Sequence, residues 1–94
     1  MKEDLRKKAV ALGYDPEHDA APVVKGKGRG EVASAIIAKA KEHDIPVKED
    51  AALVELLEQV DVGAVIPEEL FQAVAEVFAF IYQLDQKVNN SKFS

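Results

Sequence analysis

Up to Gly30 the apolar residues of this chain come in two short unbroken runs, and from Glu31 onward they recur at helical spacing. That change of period limits the fold more than any motif does: strands come first and helices dominate the rest. The run Ala9-Val10-Ala11-Leu12-Gly13-Tyr14, stopped by Asp15-Pro16, predicts a buried strand. Residues 15–22 hold three acids, His18 and two prolines, which is connector chemistry. Pro22-Val23-Val24 opens a second strand that ends in the glycine-spaced Gly26-Lys27-Gly28-Arg29-Gly30.

A first helix is expected from Glu31, with Val32, Ile36, Ala40 and His43 along one face and Asp44 and Pro46 closing it. Ile45 to Lys48 reads as a third strand. Asp50 then stands as the N-cap of a helix that places Leu53, Leu56, Leu57 and Val60 on one side and stops at Gly63. Pro67 suits the first turn of a last helix, with Glu68 and Glu69 favourable at its positive end. The expected fold is a single α/β domain: a small mixed sheet of about three strands, with a right-handed crossover between the second and third, flanked by three main helices. Residues 1–7 are expected to form a charged N-terminal segment, 8–86 the domain, and 87–94 a disordered tail.

A chain of 94 residues buries roughly 60–70% of its unfolded surface, enough for one modest core. The absence of Cys removes disulfides, thiol catalysis and Cys-based zinc sites, and agrees with a reducing cytoplasm. No apolar run approaches the roughly 20 residues of a membrane span, and no signal-peptide pattern is present. Residues 1–47 carry 9 basic and 8 acidic side chains, whereas residues 48–94 carry 3 basic and 9 acidic. Balances of +1 and −6 disfavour nucleic acid, because phosphate binding needs a basic face. The acidic half remains open to partner docking.

Little in the sequence supports catalysis. The segment from Gly26 to Gly30 lacks the Gly-Lys-Ser/Thr ending of a phosphate-binding loop, and its third glycine comes one residue early for a dinucleotide fingerprint. Two readings of it stand: a mobile, solvated strand-to-helix turn dispensable for folding, or an anion or nucleotide site using Lys25, Lys27 and Arg29. His18 in a connector and His43 at a helix end read as surface and cap residues, so no metal or other cofactor is expected. Ser34 within a helix and Ser91 near the terminus give no credible nucleophile.

The last helix is apolar over an unusually wide arc. Leu70, Val74, Val77, Ile81 and Leu84 form the core stripe, and Phe71, Ala75, Phe78 and Tyr82 form a second stripe about 100° away. The second stripe is either buried in a sandwich or left partly exposed as a docking surface.

Ala9-Val10-Ala11-Leu12-Gly13-Tyr14-Asp15-Pro16, Ala20-Ala21-Pro22-Val23-Val24, Glu42-His43-Asp44-Ile45-Pro46-Val47 and the stretch from Ile66-Pro67-Glu68-Glu69-Leu70 to Val77 follow one another as ordered blocks over roughly residues 8–85. In these blocks the chain resembles the cytoplasmic C-terminal domain of the FlhB family, the specificity-switch component of the flagellar type III export gate, which has relatives in virulence secretion systems. Members of that family carry Asn-Pro-Thr-His before the strand and cleave themselves after the Asn. Here the corresponding stretch is Asp4-Leu5-Arg6-Lys7, so the resemblance implies a non-cleaving, stand-alone counterpart of the C-terminal fragment, without membrane helices. It further implies a cytoplasmic, non-enzymatic docking domain at the inner-membrane export gate. The expected partners are export substrate proteins or gate subunits, with no nucleic acid and no direct membrane insertion. The family's apolar recognition patch falls on Ala21, Pro22, Ala75 and Phe78.

Overall fold

In the computed structural model, residues 7–81 are described. Strand β1 (Lys8–Gly13) and strand β2 (Val23–Arg29) form an antiparallel ribbon, followed by helix α1 (Glu31–Glu42), helix α2 (Ala51–Leu57), a 3₁₀ turn (Glu68–Leu70) and helix α3, which spans residues 71–81 of the described chain. The expected carboxyl end of α3 near Gln86, Leu84 and Tyr82 on its stripes, and the terminal segments 1–7 and 87–94, lie outside the described residues except for Lys7.

Cross-strand pairs Lys8↔Arg29 and Val10↔Lys27 set one face of the ribbon, while Ala9↔Gly28 and Ala11↔Gly26 set the other. The second face consists of small residues, and α1 packs directly on it at Gly28. A methyl added at Gly28 would collide with the Val32 side chain. Gly30, the N-cap of α1, has φ 58° and ψ −123°, a combination open in practice only to glycine. The buried face of α1 is therefore centred on Ala33, fully buried, and the expected face is rotated: Val32 is 55% exposed and His43 is exposed.

The glycine-spaced segment is not a mobile turn. Gly26 to Arg29 are paired in β2, with Lys25 left over at a register shift opposite Ala11 and Leu12. Residues 45–50 are irregular and form no third strand, so the predicted crossover is absent and the sheet is antiparallel rather than mixed. The backbone that joins β2 lies at 63–66 instead. Val24 N–H donates to the Ala64 carbonyl (3.0 Å), Gly63 N–H to the Val24 carbonyl (2.7 Å) and Ile66 N–H to the Pro22 carbonyl (2.9 Å), around a Val23↔Val65 bridge.

α1 ends in a Schellman motif: Ile45 N–H reaches the Ala40 carbonyl at 2.8 Å and Asp44 N–H the Lys41 carbonyl at 3.2 Å, with Asp44 at φ 58°. Asp50 caps α2 as expected, its carboxylate accepting from Leu53 N–H at 3.1 Å. α2 stops at Leu57, short of Gly63, and Leu56 turns outward. Ala21, Val24, Leu53, Leu57, Ile66 and Val74 make the core cluster, with Val10, Leu12, Leu70, Val77 and Phe78 packed around it. β2, α2 and α3 contribute side chains to this cluster and β1 packs Val10 and Leu12 against it, whereas α1 supplies none. No described helix is long and apolar enough to cross a membrane.

Candidate docking site

Phe78 lies on α3 one turn beyond Val74, so the helical period carries it from the fully buried Val74 to the edge of the core, where it is half-buried. Its outer side meets Tyr14, with ring centroids 6.4 Å apart and planes tilted by 37°. Tyr14 follows β1 directly and is 48% exposed, so the pair forms an aromatic rim between core and solvent.

The connector after Tyr14 is held by its own polar groups. The Asp15 carbonyl accepts from His18 N–H (3.0 Å) and Asp19 N–H (2.7 Å), and the Asp15 carboxylate accepts from Glu17 N–H at 3.0 Å. The bond to the His18 ring (2.7 Å), followed by that Glu17 amide, holds the Asp15 carboxyl below its usual range. This compact turn delivers Ala21 and Pro22 to the core edge. Ala21 is 4% exposed and belongs to the core cluster, whereas Pro22 is half-buried and its carbonyl is tied to Ile66. Ala75 is exposed on α3.

The four expected patch residues thus divide. Ala21 is a packing residue beneath the surface, Pro22 and Phe78 are at the rim, and Ala75 is open to solvent. Tyr14 was missed, because a single aromatic at the end of a strand carries no periodic signal; only the tertiary contact with Phe78 distinguishes it.

The basic residues singled out in β2 are committed elsewhere. Lys27 Nζ donates to the carbonyls of Glu58 and Val60, both at 2.8 Å, and Arg29 binds the Glu58 carboxylate at 3.1 and 3.2 Å. Glu58 also accepts from Lys8 Nζ at 2.8 Å. α2 has no basic residue in its own last turn, and Lys8, Lys27 and Arg29 supply that charge from the ribbon. Lys8 above all, then Arg29, keeps the Glu58 carboxyl below its usual range. The Gly30 N–H is bonded to the Lys7 carbonyl at 2.8 Å. Lys27 and Arg29 are thus tied to the end of α2, Arg29 while still exposed, and Lys25 is exposed and makes no ion pair among the described residues. Among the described residues no three His, Cys, Asp or Glu side chains group as a metal would need.

The FlhB HrpN YscU SpaS Family matches residues 6–81. The chain belongs to that family. It is 50% identical over 93 residues to the uncharacterized protein YlqH of Bacillus subtilis, covering 98% of this chain and all of that one. It is 47% identical over 85 residues to the flagellar biosynthetic protein FlhB of Helicobacter pylori, covering 89% of this chain but 24% of that protein. The chain thus spans about a quarter of the full-length FlhB relative. Among solved structures it is similar to the cytoplasmic domain of FlhB from Shewanella putrefaciens, with a TM-score of 0.85 at 36% identity over 89% of this chain and 66% of that one. A mutated EscU C-terminal domain superposes with a TM-score of 0.75 at 32% identity, covering 78% and 89% of the two chains. The FlhB-like fold expected from the sequence blocks is thereby established, with two strands in place of three.

Proposed function

We propose that this FlhB-family domain is a non-catalytic docking module of the bacterial flagellar or related type III export apparatus. It works in the cytoplasm at the inner-membrane export gate and engages export substrates or gate subunits. The observation that carries this reading is the rim formed by Phe78 and Tyr14, with Ala75 exposed one turn earlier on α3: an aromatic pair left partly in water above a complete core. Phe78 gains about 1.5–3 kcal/mol when fully buried, so a partner that covers it collects what folding leaves unused. Ala21 serves from beneath, holding the Pro22 corner against the core. The relatives support the export setting through their own description as flagellar biosynthetic proteins.

The domain acts by binding alone. The stretch Asp4-Leu5-Arg6-Lys7 offers no Asn-Pro step for self-cleavage and lies, apart from Lys7, outside the described residues. The decisive experiment is calorimetric titration of the purified domain with flagellar export substrates and gate subunits of its own host, comparing wild type with Ala75→Asp. Ala75 is exposed, so the variant retains the fold, and a carboxylate set beside Phe78 is expected to weaken binding by about tenfold or more. Unchanged affinity in a folded Ala75→Asp domain overturns the site.

A further inference from the structure

α3 has a second outward surface that shares Ala75 with the Phe78 rim and extends to Phe71 and Ala79. Of its exposed positions 71, 72, 75, 76, 79 and 80, only Gln72 and Glu76 are polar, the reverse of a solvated helix face. Phe71, Ala75 and Ala79 follow at i, i+4 and i+8, and with Glu68, Glu69 and Glu76 they line an open groove. Phe71 stands 43% exposed at its amino-terminal end. The floor is made of methyl groups, so a partner backbone can approach closely. At a 1.5 Å rise per residue the stretch from 71 to 79 is about 12 Å long, which matches roughly two turns of a docked helix. Every charged side chain lining the groove is a carboxylate. Among the described residues none of these three carboxylates is paired with a base, in contrast to Glu58.

We infer that this groove binds a basic amphipathic helix of a partner protein, with apolar side chains over Phe71, Ala75 and Ala79 and Lys or Arg facing Glu68, Glu69 and Glu76. Charge complementarity selects this occupant. An acidic partner or an anionic lipid surface meets three like charges, and an extended uncharged segment leaves them unpaired. The inference refines the docking reading, since it adds a second contact face on α3 and states the chemistry of what fills it.

The probe is a synthetic helical peptide of about 18 residues with a Leu and Ala face flanked by Lys, long enough to hold helix on contact. An otherwise identical peptide with Glu replacing Lys is the control. Both are titrated into the isotope-labelled chain and followed by amide shifts. The Lys peptide is expected to perturb residues 68–79, to lose affinity steeply with added salt, and to bind Glu76→Lys about tenfold more weakly. Replacing Glu68, Glu69 and Glu76 by Lys together is expected to transfer binding to the Glu peptide. Equal binding of both peptides, or of neither, overturns the inference. So does a set of shifts confined to Tyr14, Ala21 and Phe78, a result that leaves the export-docking reading standing, or self-association of the chain that Glu76→Lys abolishes.

Discussion

Lys27 reaches from β2 to the main-chain carbonyl of Glu58 at 2.8 Å and so caps a helix to which it does not belong. The same ammonium also binds the Val60 carbonyl at 2.8 Å, so it satisfies the C-cap oxygen at the negative end of α2 and one in the turn that follows. Lys27→Gln is expected to destabilise the domain by about 1.5–3 kcal/mol, the range for hydrogen bonds made by a charged group. That corresponds to a fall in Tm of roughly 10 °C. Urea unfolding checks it: an unchanged midpoint would mean that the bridge contributes nothing.

Acid should weaken the same joint. Glu58 has its carboxyl lowered by the Lys8 bond and then by Arg29, so its contribution is present above the unfolded-state range near about 4.3 and is lost as pH falls through the lower folded value. Between neutral pH and about pH 3 the wild-type urea midpoint is expected to fall further than that of Glu58→Gln, which has no such proton to take up. Parallel pH profiles for the two proteins would refute this account.

Asp44 occupies the left-handed position after α1, at φ 58°, where glycine carries no steric penalty. Asp44→Gly is expected to raise stability by up to about 1 kcal/mol, read as a higher thermal midpoint. A fall instead would show that the aspartate side chain contributes more than its backbone costs.

Two nearby glycines should respond very differently to Ala. Gly26 has open space where a methyl would go, so Gly26→Ala is expected to be nearly neutral. Gly28→Ala drives a methyl into Val32 beneath α1 and is expected to cost about 1–3 kcal/mol. Equal effects at the two positions would mean that α1 does not rest on the ribbon as described.

The purified chain is expected to stay intact. With no Asn-Pro step in Asp4-Leu5-Arg6-Lys7, intact-mass spectrometry after long incubation should give a single species. A fragment beginning within that stretch would reverse the expectation.

Features governed by neighbouring residues were legible in the sequence. Both strands, the start of α1 at Glu31, the Asp50 cap and the helix turn after Pro67 follow from local pattern, and each is found where local physics puts it. The choice between Ile45 to Lys48 and residues 63–66 as the segment joining β2 was not legible. Both are short and apolar, and only the hydrogen bonds from Val24 and to Pro22 favour 63–66. The glycine-spaced run read as a loop because the neighbour that requires Gly28 to be small is α1, which is remote from any local pattern. For the docking site, the helical period brought Ala75 and Phe78 into consideration, but it could not distinguish the exposed Ala75 from the half-buried Phe78 or supply Tyr14.

The ties of β2 to residues 58–66 also carry a consequence for the order of assembly. The β1–β2 ribbon and α1 are contiguous in sequence and emerge first during synthesis, while the carboxylate and carbonyls that receive Lys8, Lys27 and Arg29 lie some thirty to fifty positions later. Until that segment arrives, three cations stand without partners and the apolar edge at Val23 and Val24 is open. Closing that edge therefore waits for residues 58–66, whose carboxylate and carbonyls take up the ribbon's cations and whose backbone pairs with Val24.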